Sequence, residues 1–454
     1  MNITLVEPDF RARSPWSMRS TTKSVRISPA EGPVRGHYIV PGSKSFTNRA
    51  LLLAGMAAGS STLHGILKSD DSYWCIEVLK SLGATITVEG DDAHIVGVSG
   101  KWQDAAAPLY IGAAGTTARF LPGLLAASTS GASYTIEGSQ SLSVRPIGPL
   151  VDALRTLGAK IEYLGNHGFL PIRVVGQGLS GGHVSIEGNV SSQFISGLLM
   201  ASAHAQSTVT VHITSPVVQH AYIHITLDLM RRFGATVEAT PNLDTITVQP
   251  SPYQAQTVVL EADASTAGYF LALAAVTEGD VTIDNLGYAT NQPDIRLLDV
   301  LERMGCTVER QDSYVRCVGP HQLKGGMTIS MKEMSDQALT LAAIAPFADG
   351  EVTITDVAHI RHHESDRIRA AYEALNRVGV EVAELTDGLR IRPGQPKPAA
   401  IPTHDDHRVA MSFAVLGAKV QGMEILDPGC VSKTCPEFFR YLEGTGVDVE
   451  FRDV

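Results

Sequence analysis

Amphipathic stretches with a helical period alternate along this chain with short runs of β-branched and apolar residues. One phrase recurs six times, an amphipathic helix that ends at a glycine and is followed by a strand: VLKSLGATI, ALRTLGAKI, LMRRFGATV, VLERMGCTV, ALNRVGVEV and YLEGTGVDV. Its glycines, Gly83, Gly158, Gly234, Gly305, Gly379 and Gly446, are separated by 75, 76, 71, 74 and 67 residues, which predicts six repeated units. Glycine suits the position because helices commonly end on a left-handed residue, a conformation it adopts without a Cβ penalty.

The rest of each unit follows outward from its glycine. Two alternating strands come next, as in VEVAELTDGLRIRP. A polar loop then opens an almost wholly apolar helix, as in AAGTTARFLPGLLAAS or HDDHRVAMSFAVLGAKVQG, and a further strand and a second, amphipathic helix lead to the next glycine. A helix that is apolar all round belongs inside its domain, so the predicted fold is α/β with buried helices and outer sheets. The sixth unit stops after VDVEF, and SVRIS, residues 24–28, is the simplest source of its missing second strand. That return of the N-terminus predicts two domains of three units each. One is inserted, 42–259, and the other discontinuous, 1–41 plus 260–454, with the hinge near Gly42 and Leu260.

Charge and composition narrow the function. The 454 residues carry 36 Lys and Arg against 47 Asp and Glu, a net charge of −11, which argues against a nucleic-acid partner bound through phosphate neutralisation. Hydrophobic residues make up 44% and charged ones 18%, enough to bury large cores. Cys75, Cys306, Cys317, Cys430 and Cys435 include no Cys-x-x-Cys pair, so neither a disulfide framework nor a zinc ribbon is expected. No apolar run reaches the roughly 18 residues of a membrane span. Glu7 and Asp9 fall where a signal peptide is basic and then apolar, and the expectation is a cytoplasmic protein with no membrane partner. Residues 11–24, with Arg11, Arg13, Arg19 and Lys23, have some of the composition of a transit peptide but read better as a frayed arm.

Charged and hydroxyl residues gather where the apolar helices begin: Lys44, Ser45 and Arg49; Gly115 to Arg119; Ser191, Ser192 and Gln193; Asp336; His407 and Arg408. The second helices of the units begin near Arg145, Tyr222, Asp294, Glu364 and Lys433. Helix N-termini present free N–H groups and the positive end of the dipole, so several of them converging on an interdomain cleft would bind a highly anionic small molecule. Ordinary capping accounts for the Ser, Thr and Asp members. It does not account for Lys44, Arg49, Arg119, Arg145, Arg367, Arg408 and Lys433, because a cation beside a positive helix end needs an anion to offset it. Asp336 and Glu364 are candidates for acid–base chemistry among these cations, although Glu364 or Asp366 could equally form a simple salt bridge with Arg367.

These residues resemble the enolpyruvyl transferases, and among them the branch whose acceptor is shikimate 3-phosphate. PGSKSFTNRALLLA at 41–54 is similar to that family's opening motif, and RPIGPLVDALRTLGA, VSSQF, DAST, ESDRI, DDHRVAM and KTCPEFF follow in its order. The resemblance implies an inside-out α/β barrel in two closing domains, no metal or organic cofactor, and a monomer. It implies that the acceptor's 5-hydroxyl attacks C2 of phosphoenolpyruvate and that phosphate is then eliminated. Position by position, it implies that Lys44, Gly115, Arg145 and Gln193 meet phosphoenolpyruvate, with Arg367, Arg408 and Lys433 clamping its other anionic groups. Ser45 and Arg49 would hold the acceptor's carboxylate, and Ser191 and Ser192, beside Gln193, its 3-phosphate. Asp336 would take the hydroxyl proton and Glu364 serve C3, with Lys44 also counted as catalytic.

Some positions depart from that pattern. Ala113 replaces an amide, His363 a lysine and His359 an asparagine, and Gln219 and His220 stand for a Ser-Lys pair. If His359 and His363 meet the acceptor as cations, activity falls between about pH 6 and 8. These changes lie mostly on the acceptor side, which leaves open a paralogue acting on another shikimate-like acceptor, an elimination, or a catalytically silent binding protein. The sibling branch that uses a nucleotide sugar carries a cysteine just before the Arg-Pro motif, where GSQSLSVRPIG has none, and the net charge disfavours the architecturally related RNA 3′-phosphate cyclases.

Overall fold

A computed structural model describes residues 8–453; residues 1–7, including Glu7 of the signal-peptide reading, lie outside the described residues. The chain forms two compact units, Gly42–Glu261 and Met1–Pro41 with Ala262–Val454. Among the described residues each contains three four-stranded sheets. In the second repeat the strand order is Leu109–Tyr110, Ser133–Glu137, Ile172–Val175, Lys160–Tyr163, with the first pair parallel and the others antiparallel. The glycines that end the second helices have left-handed φ values, from +79° at Gly379 to +100° at Gly83.

The N-terminal return is seen directly: Ser24–Ser28 pairs antiparallel with Asp448–Arg452 on one side and with Met423–Leu426 on the other. Two further strands pair with partners that the sequence did not name. Arg35–Tyr38, the strand before the first inner helix, pairs with Asp280–Ile283 of the fourth repeat, and Thr257–Val259, before the fourth inner helix, pairs with Ser60–His64 of the first. Each unit therefore closes its own set of sheets with a strand that the repeat order would assign to the other.

The first helices of the repeats fill the interiors. Every residue of Gly115–Ala127 and of His407–Gly417 is buried, and Ala264–Thr277 is buried from Thr266 to Val276. Gly197 lets two such helices meet at backbone distance, since a Cβ there would stand 2.0 Å from the Arg119 carbonyl oxygen. Truncating a fully buried member such as Leu124 to Ala would cost about 2–5 kcal/mol. No helix among the described residues is long and apolar enough to cross a membrane.

The segment after residue 7 is not frayed. Phe10–Ala12 forms a 3₁₀ turn, and Ala12, Ser14 and Thr22 are buried, because the arm supplies side chains and peptide groups to the body of its unit.

Candidate functional site

In the discontinuous unit the expected residues come together around one guanidinium. Arg367 opens the Arg367–Arg377 helix, whose N-cap is Asp366, and is almost wholly buried. Its Nη1 donates to Asp336 Oδ1 at 3.0 Å, its Nη2 to Glu364 Oε2 at 2.8 Å and its Nε to Asp406 Oδ2 at 2.9 Å. Arg408 Nη2 donates to the other oxygen of Asp336 at 2.8 Å, and Lys433 Nζ lies 3.1 Å from Glu364 Oε1. Burial alone would lower the Arg367 pKa, but the charges of Asp406, Glu364 and Asp336 raise it above the ordinary guanidinium value. The two candidate carboxylates are thus linked through one permanently charged group and braced by two more cations.

This geometry revises two inferences. The cations near these helix starts are offset by Asp336, Glu364 and Asp406 of the chain itself, so an external anion is not needed to explain them. Lys433 also does not begin a helix, because it is the last residue of a 3₁₀ segment, Pro428–Lys433, after which Phe438–Glu443 starts. Of the salt bridges left open for Arg367, Glu364 forms one, while Asp366 pairs with Arg361.

Neither departure histidine is placed as a cation. Arg367 Nη1 donates to His363 Nδ1 at 3.1 Å, a contact that needs a bare lone pair on that nitrogen. His359 shares a 2.8 Å hydrogen bond with Ser335 Oγ, and burial is the main influence lowering its pKa.

Two further acidic residues emerge, Asp294, which the sequence marked only as a helix start, and Asp406, which it did not single out. Asp406 is fully buried, caps the His407–Gly417 helix by accepting from Arg408 N at 2.9 Å, and holds Arg367 and Ser365. Asp294 is buried and accepts a very short hydrogen bond from Ser265, whose hydroxyl also faces Arg408 at 3.4 Å. Burial, with the Asp336 charge second, pushes the Asp294 carboxyl up to about 7.

In the Gly42–Glu261 unit, Lys44 and Ser45 lie in the first turn of the Lys44–Met56 helix, with Lys44 Nζ 3.6 Å from Asp71. Gly115 begins the Gly115–Ala127 helix against the Arg145 guanidinium, while Arg119 donates to the Gly115 and Pro146 carbonyls at 3.2 and 3.0 Å. Ser191 caps the Ser192–Ser202 helix by accepting from Gln193 N at 3.2 Å. Arg49 is buried: its Nε donates to Thr226 at 2.8 Å, its Nη1 to the Ser45 carbonyl at 3.0 Å, and it lies over the Phe120 ring. Burial lowers its pKa to about 10. Gln219 has a left-handed φ of +52° just before His220, the N-cap of Ala221–Arg232, and Ala113 is half-buried ahead of Gly115.

Threefold-repeated sets of sheets around buried helices, with carboxylates bound among cations near helix starts, define a class of α/β protein built from two three-repeat units. Residues 29–442 match the sequence model of the family described as EPSP synthase (3-phosphoshikimate 1-carboxyvinyltransferase). The chain is 54% identical over 446 residues, 98% of its length and 99% of the relative's, to "3-phosphoshikimate 1-carboxyvinyltransferase 2" of Halalkalibacterium halodurans. It is 42% identical over 419 residues, covering 92% of this chain and 97% of the relative, to a 3-phosphoshikimate 1-carboxyvinyltransferase of Trichormus variabilis. A solved structure of EPSP synthase from Acinetobacter baumannii superposes with a TM-score of 0.80 at 27% identity, covering 94% of this chain and all of that one. The chain belongs to the EPSP synthase family.

Proposed function

We propose that this chain transfers the enolpyruvyl group of phosphoenolpyruvate to the 5-hydroxyl of shikimate 3-phosphate and releases phosphate, a step of aromatic amino-acid biosynthesis. The observation that carries this reading is the joining of Asp336 and Glu364 through Arg367, with Arg408 and Lys433 on their outer oxygens. The reaction needs a base for the hydroxyl, a proton for C3 and its later removal, and cations for a carboxylate and two phosphates. Asp336 takes the hydroxyl proton as the oxygen attacks C2. Glu364 gives a proton to C3, forming a tetrahedral intermediate, and takes one back as the C2–O bond to phosphate breaks.

Arg367, Arg408 and Lys433 clamp phosphoenolpyruvate from the discontinuous unit, and Lys44, Arg145, Gln193 and the peptide at Gly115 meet it from the other. Ser45, with Arg49 behind its carbonyl, holds the acceptor's carboxylate. Ser191 and Ser192, at a helix N-terminus suited to anions, hold its 3-phosphate beside Gln219. His359 and His363 meet the acceptor as neutral hydrogen-bonding groups. Neither unit alone contains the whole set, so the reading needs residues of both. The enzyme works as a cytoplasmic monomer without metal or organic cofactor, since side chains supply every proton and charge the chemistry asks for.

The test is phosphate release with phosphoenolpyruvate and shikimate 3-phosphate, alone and together. Turnover on the order of 1 to 100 per second only when both are present supports the reading. Release that does not depend on shikimate 3-phosphate contradicts it.

A further inference from the structure

The arm of residues 8–23, ahead of the region matched to the family, fastens two turns of its unit. Arg13 is the fastener, with its side chain only 6% exposed. Its Nη2 donates to the two carboxylate oxygens of Asp427 at 2.5 and 2.7 Å and lies 3.5 Å from Asp405 Oδ1, and its Nη1 donates to the Ser20 carbonyl at 2.7 Å. Gly429 leaves room for it, since a Cβ there would stand 2.5 Å from Arg13 Nη1. Further along, Met18 N donates to Ser432 Oγ at 3.1 Å and the same hydroxyl donates back to the Met18 carbonyl at 3.2 Å. Asp427 N donates to the Lys23 carbonyl at 2.8 Å.

Both fastened turns are held in costly shapes. His404, Asp405 and Asp427 have φ values of +54°, +55° and +51°, a left-handed conformation that non-glycine residues keep only when their surroundings impose it. Burial raises the pKa of both Asp405 and Asp427, and each needs a cation within reach to remain charged. The turns lead straight into the site. Asp405 precedes Asp406 and Arg408, and Asp427 opens the Pro428–Lys433 segment that ends at Lys433.

We propose that Arg13 is a positioning residue for phosphoenolpyruvate: by bridging Asp405 and Asp427 it sets the two turns so that Arg408, Lys433 and, through Asp406, Arg367 converge on one ligand. This rests on the reading of those three cations as the phosphoenolpyruvate clamp. Removing the bridge leaves two half-buried carboxylates without their shared cation and frees the turns to move apart.

The experiment compares the full-length chain with Arg13→Gln and Arg13→Lys. In Arg13→Gln the KM for phosphoenolpyruvate should rise about tenfold, with kcat within about threefold and the KM for shikimate 3-phosphate unchanged, the signature of lost ground-state binding on one substrate. Arg13→Lys keeps the charge without the fork and should show a smaller rise, about threefold. Amide hydrogen exchange at residues 404–408 and 428–433 should quicken in the same order. Unchanged kinetics and exchange in folded Arg13→Gln, or an equal rise in both KM values, would overturn the proposal. If Arg13→Gln does not fold, Arg13→Lys decides on the same readouts. A wild-type chain that makes no product defeats the functional reading alone, and the exchange of the two turns still decides whether Arg13 positions them.

Discussion

Gly115 lies so close to Arg145 that a Cβ built on it would stand 3.0 Å from Nη1 and 3.3 Å from Nη2. The guanidinium rests against the first turn of the Gly115–Ala127 helix, and a side chain at residue 115 would make it give way by a few tenths of an ångström. Gly115→Ala should push Arg145 outward and raise the KM for phosphoenolpyruvate about tenfold, with the thermal midpoint little changed. Steady-state kinetics with each substrate varied in turn check this, and an unaltered KM would remove Arg145 from the phosphoenolpyruvate site.

Asp336 and Glu364 are half-buried acids held by three cations. Asp336→Asn and Glu364→Gln keep size and most hydrogen-bonding capacity but remove the proton-transfer function. Each should lower kcat by about 10² to 10⁴, with unchanged circular dichroism. A variant that folds and retains near-wild-type turnover would show that its carboxylate is only a salt-bridge partner for Arg367.

The histidines and Asp294 separate by pH. Burial is the main influence lowering the His359 pKa, so its proton is lost at lower pH than from an ordinary imidazole, and His359→Gln should not change the shape of the activity profile above about pH 7. Its contribution to stability is present above pH 6.5 and is lost as pH falls, because the unfolded state takes the proton first. Asp294 has the opposite sign. Its folded pKa, about 7, is above the unfolded value, so its contribution is complete below about pH 4 and is lost as pH rises through 7. Urea unfolding from pH 5 to 8.5 should show that loss in the wild type and a flatter curve in Asp294→Asn. The same slope in both proteins would place the titrating group elsewhere.

Asp406 is fully buried and satisfied by Arg367, Ser365 and the Arg408 amide. Asp406→Ala leaves a buried guanidinium without one of its partners and removes a helix cap, so unfolding free energy should fall by about 3 to 5 kcal/mol. Denaturant titration measures it, and a loss under 1 kcal/mol would mean that Asp336 and Glu364 alone satisfy Arg367.

How much of this could be read beforehand depended on range along the chain. The six glycines were legible because a helix C-terminus leaves a local signature. The return of residues 24–28 was legible because a repeat cut short has a countable gap. Buried inner helices were legible because they are apolar on every side. The exchange of Arg35–Tyr38 and Thr257–Val259 was not, since a strand's pattern carries no record of its partner. Asp406 was not singled out, because its pairing with Arg367 joins residues 39 positions apart. Arg13 looked like part of a loose basic arm, because its partner Asp427 is 414 positions away. The charge state of His363 was left open, because it depends on which nitrogen faces Arg367, and only geometry supplies that.

The most direct test of enolpyruvyl transfer follows the bridging oxygen of phosphoenolpyruvate. Addition at C2 followed by elimination breaks the C2–O bond, so phosphoenolpyruvate labelled with ¹⁸O at that position, incubated with shikimate 3-phosphate and this protein, should deliver the label to free phosphate while the acceptor gains an enolpyruvyl ether by mass. Label found in pyruvate, with the acceptor unchanged, would mean that the P–O bond breaks instead and would contradict the assigned reaction.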